Sequence, residues 1–254
     1  MLNEDQLETK LPKEKIIALN TFIQDYIVDD NVIGIMLTGS HVHGDANRHA
    51  DLDIFIILQK SDTRTRGNIF IDGMEIEFFI NPVRQIEKYF EQEFPTKINT
   101  VHMFANCIII YEKNKELERL TNLARAFLAK PLPDFTGYDL YHCRYLLDDY
   151  RKDMLDALET DDIVAFELIA GIVVRDVIFY FGRIKKFYPQ KHKRLMSQLE
   201  HIDNKFRLLI QTYLKYKGDL KDRFELLNDC IQYVESLIGG PRPDSCSFTS
   251  LLTF

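Results

Sequence analysis

Asp51 and Asp53 stand one residue apart at the head of an apolar run, Ile54-Phe55-Ile56-Ile57-Leu58, whose length and content predict a β-strand. Strand side chains alternate, so the two carboxylates share a face and Leu52 and Ile54 take the other. Two carboxylates held that close repel and raise each other's pKa unless a cation lies between them. A hard divalent ion such as Mg²⁺ relieves the repulsion, and it needs only one or two protein carboxylates when phosphate oxygens supply the remainder. Upstream, a second apolar run, Val32–Leu37, leads through Thr38 into Gly39-Ser40, and ten residues separate Ser40 from Asp51. Glycine lets a phosphate approach the backbone, a helix start behind it offers free N–H donors, and Ser40 adds a hydroxyl. A phosphate cradle and a metal-binding acid pair on one short segment outline a nucleotide site.

The stretch Leu37-Thr38-Gly39-Ser40, a spacer, then Asp51-Leu52-Asp53-Ile54 resembles the signature of the DNA polymerase beta-type nucleotidyltransferase superfamily: an apolar residue, Gly and Gly or Ser, followed by two acids alternating with apolar residues. Among its members the antibiotic (aminoglycoside and lincosamide) nucleotidyltransferases are the nearest in outline, because they too append a helical domain. Many small-molecule members carry Arg-Gly in the turn and Ser before the first acid. Here His43-Gly44 and Ala50 occupy those places, so no arginine stands at that spot to contact triphosphate.

The resemblance implies a third carboxylate on a strand beside the one that begins with the acid pair. After Leu58 the polar connector Thr63-Arg64-Thr65-Arg66 precedes Asn68–Ile71, the turn pair Asp72-Gly73, and Met74–Ile80, which together predict a hairpin. Glu75, Glu77 and Phe79 share one face of the second arm. Glu77, with Phe and Ile neighbours, is the choice for the third acid, and Glu75 is the same-face alternative. Such a carboxylate completes a second metal site or accepts the proton of an attacking hydroxyl. The activity so implied is transfer of a nucleoside monophosphate from an NTP, the donor substrate, to a hydroxyl of a small acceptor, with Mg²⁺ as two ions and pyrophosphate leaving. Asp51, Asp53 and Glu77 are then both metal ligands and catalytic residues, and Gly39 and Ser40 cradle phosphate. His43, with His41 beside it, and Arg48 in the connector are further candidates for phosphate contact. Two alternatives stand: the same chemistry on a protein side chain, and a non-catalytic nucleotide-binding or regulatory protein.

A net charge of −7 with no long basic stripe disfavours nucleic acid as a partner. Four scattered cysteines, Cys107, Cys143, Cys230 and Cys246, fit a reducing compartment rather than a disulfide framework or zinc site. The charged N-terminus lacks the pattern of a secretory signal. The longest apolar stretch, Ile163–Tyr180, is interrupted by Glu167, Arg175 and Asp176, so the expectation is a cytoplasmic protein with no membrane span, monomeric or homodimeric.

Around these residues the pattern predicts an α+β fold: a mixed-sheet nucleotidyltransferase domain over residues 1–130 and a helical bundle over residues 131–254. A first helix is expected over 12–30, with Ile16, Leu19, Phe22, Ile23, Tyr26 and Ile27 on one stripe. Further helices are expected after Pro82 and over Lys115–Lys130, all behind one sheet, with Cys107–Tyr111 as another strand. Lys130-Pro131-Leu132-Pro133 marks the boundary, since two prolines in three residues forbid a continuing helix. Beyond it, helices are expected over 138–159, 161–187, 190–216 and 219–238, in a bundle of four or five, with a loosely held tail from 239 to 254. Residues 139–176 carry ten acids against four bases, and residues 177–217 carry ten bases against two acids. Complementary solvated faces explain that pattern. A sharper reading has the acidic helix line a cleft for a cationic acceptor while Arg183–Lys186, Lys185 included, reaches polyphosphate.

Overall fold

The structure, a computed structural model, describes residues 7–44, 46–47, 50–94 and 99–249, with the side chain of His43 left aside. The chain divides into two compact units, Met1–Lys130 and Pro131–Phe254.

The first unit is built on a five-stranded mixed sheet in the order β3-β4-β2-β1-β5. Its strands are β1 (Val32–Thr38), β2 (Leu52–Leu58), β3 (Thr65–Ile71), β4 (Met74–Pro82) and β5 (Ile108–Glu112). β1 pairs antiparallel with β2 and β5, β3 and β4 form the expected hairpin, and β4 lies parallel to β2. At the hairpin tip Asp72 and Gly73 both have positive φ, 50° and 78°, as a two-residue turn that follows strand twist requires. β1 is buried along its whole length, which explains why it reads as a continuous apolar run rather than an alternating one.

Helices cover both faces of this sheet, not one. α1 (Lys13–Ile27) brings Leu19, Phe22 and Ile23 to the face formed by Leu52, Ile54, Ile56 and Ile76. On the opposite face Phe55 stacks on Phe79 at 4.6 Å, and Phe104 of α4 (Asn99–Ala105) meets Phe55 edge-on at 5.2 Å. Phe90 of α3 (Val83–Glu93) closes on Phe104 at 5.4 Å. Phe127 of α5 (Glu116–Ala129) extends the cluster. The one-sided expectation failed because β2 and β4 carry large apolar residues at both parities, and a strand buried on both faces needs two covers.

The second unit is a bundle of α6 (Tyr138–Glu159), α7 (Ile163–Ile184), α8 (His192–Ile202), α9 (Asn204–Lys215) and α10 (Leu220–Leu237). The helix expected over 190–216 is two, broken at Asp203. That residue leaves helical geometry at φ −160°, ψ 94°, and its carboxylate accepts from the Phe206 amide as the cap of α9. The core is apolar, with Phe181 stacked on Phe206 at 3.9 Å. A polar network lies inside it: Arg151 donates to Asn228 and to Glu235, both at 2.8 Å. The described part of the tail is tied to α6. Arg144 donates to the Gly240 carbonyl at 3.1 Å and to that of Ile238, Arg242 pairs with Asp148 at 2.7 Å, and Phe248 packs on Tyr138 and Tyr141. Among the described residues no helix is long and apolar enough to cross a membrane.

Candidate active site

Strand register places the acids. Asp53 stands opposite Thr38 on β1 and opposite Glu77 on β4, so the three residues form a row across the sheet. Neighbours in such a row point to the same face, which brings the Asp53 and Glu77 carboxylates together without any loop to aim them. Asp51, two residues earlier, shares that parity. The result is a cluster in which Asp51, Asp53 and Glu77 each offer an oxygen, all within 4.8 Å of one another, on side chains that are neither buried nor fully exposed.

Gly39 forms the other wall. It adopts φ 81°, ψ −151° as the residue before α2 (Ser40–His43), a conformation essentially restricted to glycine. A Cβ at this position would lie 1.8 Å from the Asp53 Oδ2 and 2.7 Å from its Cγ. The turn backbone therefore rests directly against the second aspartate, and Ser40 follows at the start of α2. This donor set fits a hard divalent ion: it is oxygen only, with three carboxylates beside a glycine turn.

Glu77 already has one partner. Arg66 donates from Nε and Nη2 to Glu77 Oε1 at 3.0 and 2.6 Å, and its guanidinium lies 5.0 Å from the Phe79 ring centroid. Glu75, the alternative third acid, accepts instead from Asn68 Nδ2 at 3.0 Å and is not in the cluster. Arg48 and the side chain of His43 lie outside the described residues. Lys185 belongs to the second unit, where its ammonium is 3.7 Å from Asp203 and 5.9 Å from the Phe181 ring centroid. Its neighbours Arg183 and Lys186 pair with Asp139 and Asp134 in that same unit.

Two residues near the acids went unremarked in the sequence. Arg66 was only part of a polar connector. Lys15 is 5% exposed, and its ammonium contacts His41 Nε2 at 2.9 Å and the Ala50 carbonyl oxygen. His41 is also buried. Burial and the neighbouring lysine charge both push its pKa below the ordinary 6.5. A signal for Lys15 was present: it sits three and four residues before Ala18 and Leu19, on the stripe that α1 buries.

Residues 19–120 match the nucleotidyltransferase domain family model. The match lies within the first unit, which thus carries a nucleotidyltransferase domain, the mark of a transferase enzyme. Among solved structures, the chain is similar to a nucleotidyltransferase-like protein from Exiguobacterium sibiricum 255-15 at 13% identity and a TM-score of 0.51, over 86% of this chain and 73% of that one. A spectinomycin adenyltransferase AAD(9) from Enterococcus faecialis, solved with ATP and spectinomycin, aligns at 16% identity over 90% of this chain and 100% of that one, with a TM-score of 0.33. No curated protein matches the chain significantly.

Proposed function

We propose that the chain transfers a nucleoside monophosphate from an NTP to a hydroxyl group of a small acceptor and releases pyrophosphate, with magnesium held by Asp51, Asp53 and Glu77. The observation that carries this reading is the convergence of those three carboxylates within 4.8 Å beside a glycine turn. In the reaction the acceptor oxygen forms a bond to the α-phosphorus, the bond from that phosphorus to the bridging oxygen of the β-phosphate breaks, and the hydroxyl proton leaves to a base. Bound magnesium supplies charge neutralisation at the phosphates. Asp51 and Asp53 hold and orient it, and the Gly39-Ser40 turn offers backbone and hydroxyl donors to phosphate oxygens. Glu77 is the carboxylate available to take the proton, or to hold a second ion, or both. Arg66 is placed to balance the Glu77 charge before substrates arrive. A small acceptor agrees with the net charge of −7, which gives the chain no overall attraction for a polyanion.

The test is pyrophosphate release from each NTP with Mg²⁺ over a panel of hydroxyl-bearing acceptors, aminoglycosides and lincosamides included. Acceptor-dependent release that Asp53→Asn abolishes supports the reading. Tight binding of metal and nucleotide with no release over the whole panel points to the regulatory alternative. Release that persists in Asp53→Asn overturns the assignment of the site.

A further inference from the structure

The buried lysine of α1 has no place in the chemistry above, and burying an ammonium is costly unless it is well partnered. Its described partners are the Nε2 of His41 in α2 and the carbonyl oxygen of Ala50, the residue immediately before Asp51. An ammonium only donates, so the imidazole nitrogen accepts, in keeping with a His41 held neutral. His41 Nε2 and the Ala50 oxygen are themselves 3.4 Å apart. One side chain of α1 thus joins the segment that follows the phosphate turn to the segment that begins the acid pair.

We propose that Lys15 is a positioning residue of the nucleotide site, tying the Gly39–His43 turn to the Ala50–Asp51 approach so that phosphate donors and metal carboxylates keep their spacing before ligand arrives. The inference rests on the reading of the site given above. Proteins that preset a binding geometry pay the ordering cost during folding and not during binding. Desolvation lowers the Lys15 pKa, opposed in part by the Asp51 charge, so at neutral pH the charged lysine costs the fold stability.

The experiment compares wild type with Lys15→Met, which keeps the stem and removes the ammonium. Calorimetry measures binding of Mn²⁺ with α,β-methylene ATP and the corresponding GTP analogue, thermal unfolding measures stability, and deuterium exchange follows the amides of Ser40–Val42 and Leu52. Expected for Lys15→Met are at least about tenfold weaker metal–nucleotide binding, a Tm no lower than wild type, and faster exchange at those amides alone. His41→Leu removes the other end of the tie and gives a similar loss, and the double variant is no worse than Lys15→Met. A purely structural lysine gives the reverse pattern, a lower Tm with affinity intact, and that result overturns the proposal. Unchanged exchange at the turn overturns it too, whatever the nucleotide does. Wild type that binds neither analogue overturns the reading of the site itself, a failure distinct from that of the tie.

Discussion

Gly39→Ala probes the point where the turn touches the acids. The added methyl meets two penalties. At φ 81°, ψ −151° the backbone lies where L-residues are strained, a cost of about 1–3 kcal/mol. The methyl also falls 1.8 Å from Asp53 Oδ2, far inside contact distance, so the carboxylate or the turn must move by more than an ångström. Asp53 is held by its strand, paired with Thr38 on one side and Glu77 on the other, so the turn and the Asp53 rotamer give way first. The variant is therefore expected to fold with a Tm lowered by a few degrees, as about 1–3 kcal/mol implies for a protein of this size. Metal–nucleotide affinity is expected to fall by about 10²-fold or more, because the oxygen spacing that suits the ion is lost. Thermal unfolding and calorimetric titration with Mn²⁺ and an ATP analogue read the two effects separately. A Gly39→Ala protein that binds metal and nucleotide like wild type would refute the claim that this turn and Asp53 form one site.

Other consequences follow from particular contacts. Glu77→Gln keeps shape and loses basicity; pyrophosphate release is expected to drop by about 10²–10⁴-fold with Tm nearly unchanged, and retention of a tenth of the wild-type rate argues against Glu77 as base or ligand. Because the folded-state pKa of His41 lies below 6.5, the stability it contributes is present above that pH and is lost as pH falls through and below it. His41→Gln should flatten the decline in Tm between pH 6.5 and 5, and parallel curves for the two proteins would contradict the assignment. In the second unit Arg151→Met strips the partner from Glu235, whose side chain is only 4% exposed, and is expected to cost about 3 kcal/mol in chemical denaturation. A loss under about 0.5 kcal/mol there means that the Glu235 charge has been relieved in another way.

The acids and the turn were legible in the sequence because each is a local pattern. Period-two alternation puts Asp51 and Asp53 on one face, and the Asp72-Gly73 pair announces the hairpin that carries Glu77. The helices of the second unit were legible for the same reason, except at Asp203, where a capping carboxylate interrupts an apolar stripe that runs on in register. The preference for Glu77 over Glu75 could be ranked from neighbours, but parity alone gives both residues the same face. Only the parallel pairing of β2 with β4, which sets Asp53 against Glu77, separates them, and register is a long-range property that no short window contains. The second cover on the sheet, the arginine on Glu77 and the buried lysine behind Asp51 are long-range facts of the same kind. Lys15 and Ala50 meet across 35 residues of chain, and a sequence can mark a lysine on an apolar stripe without saying which carbonyl it will find there.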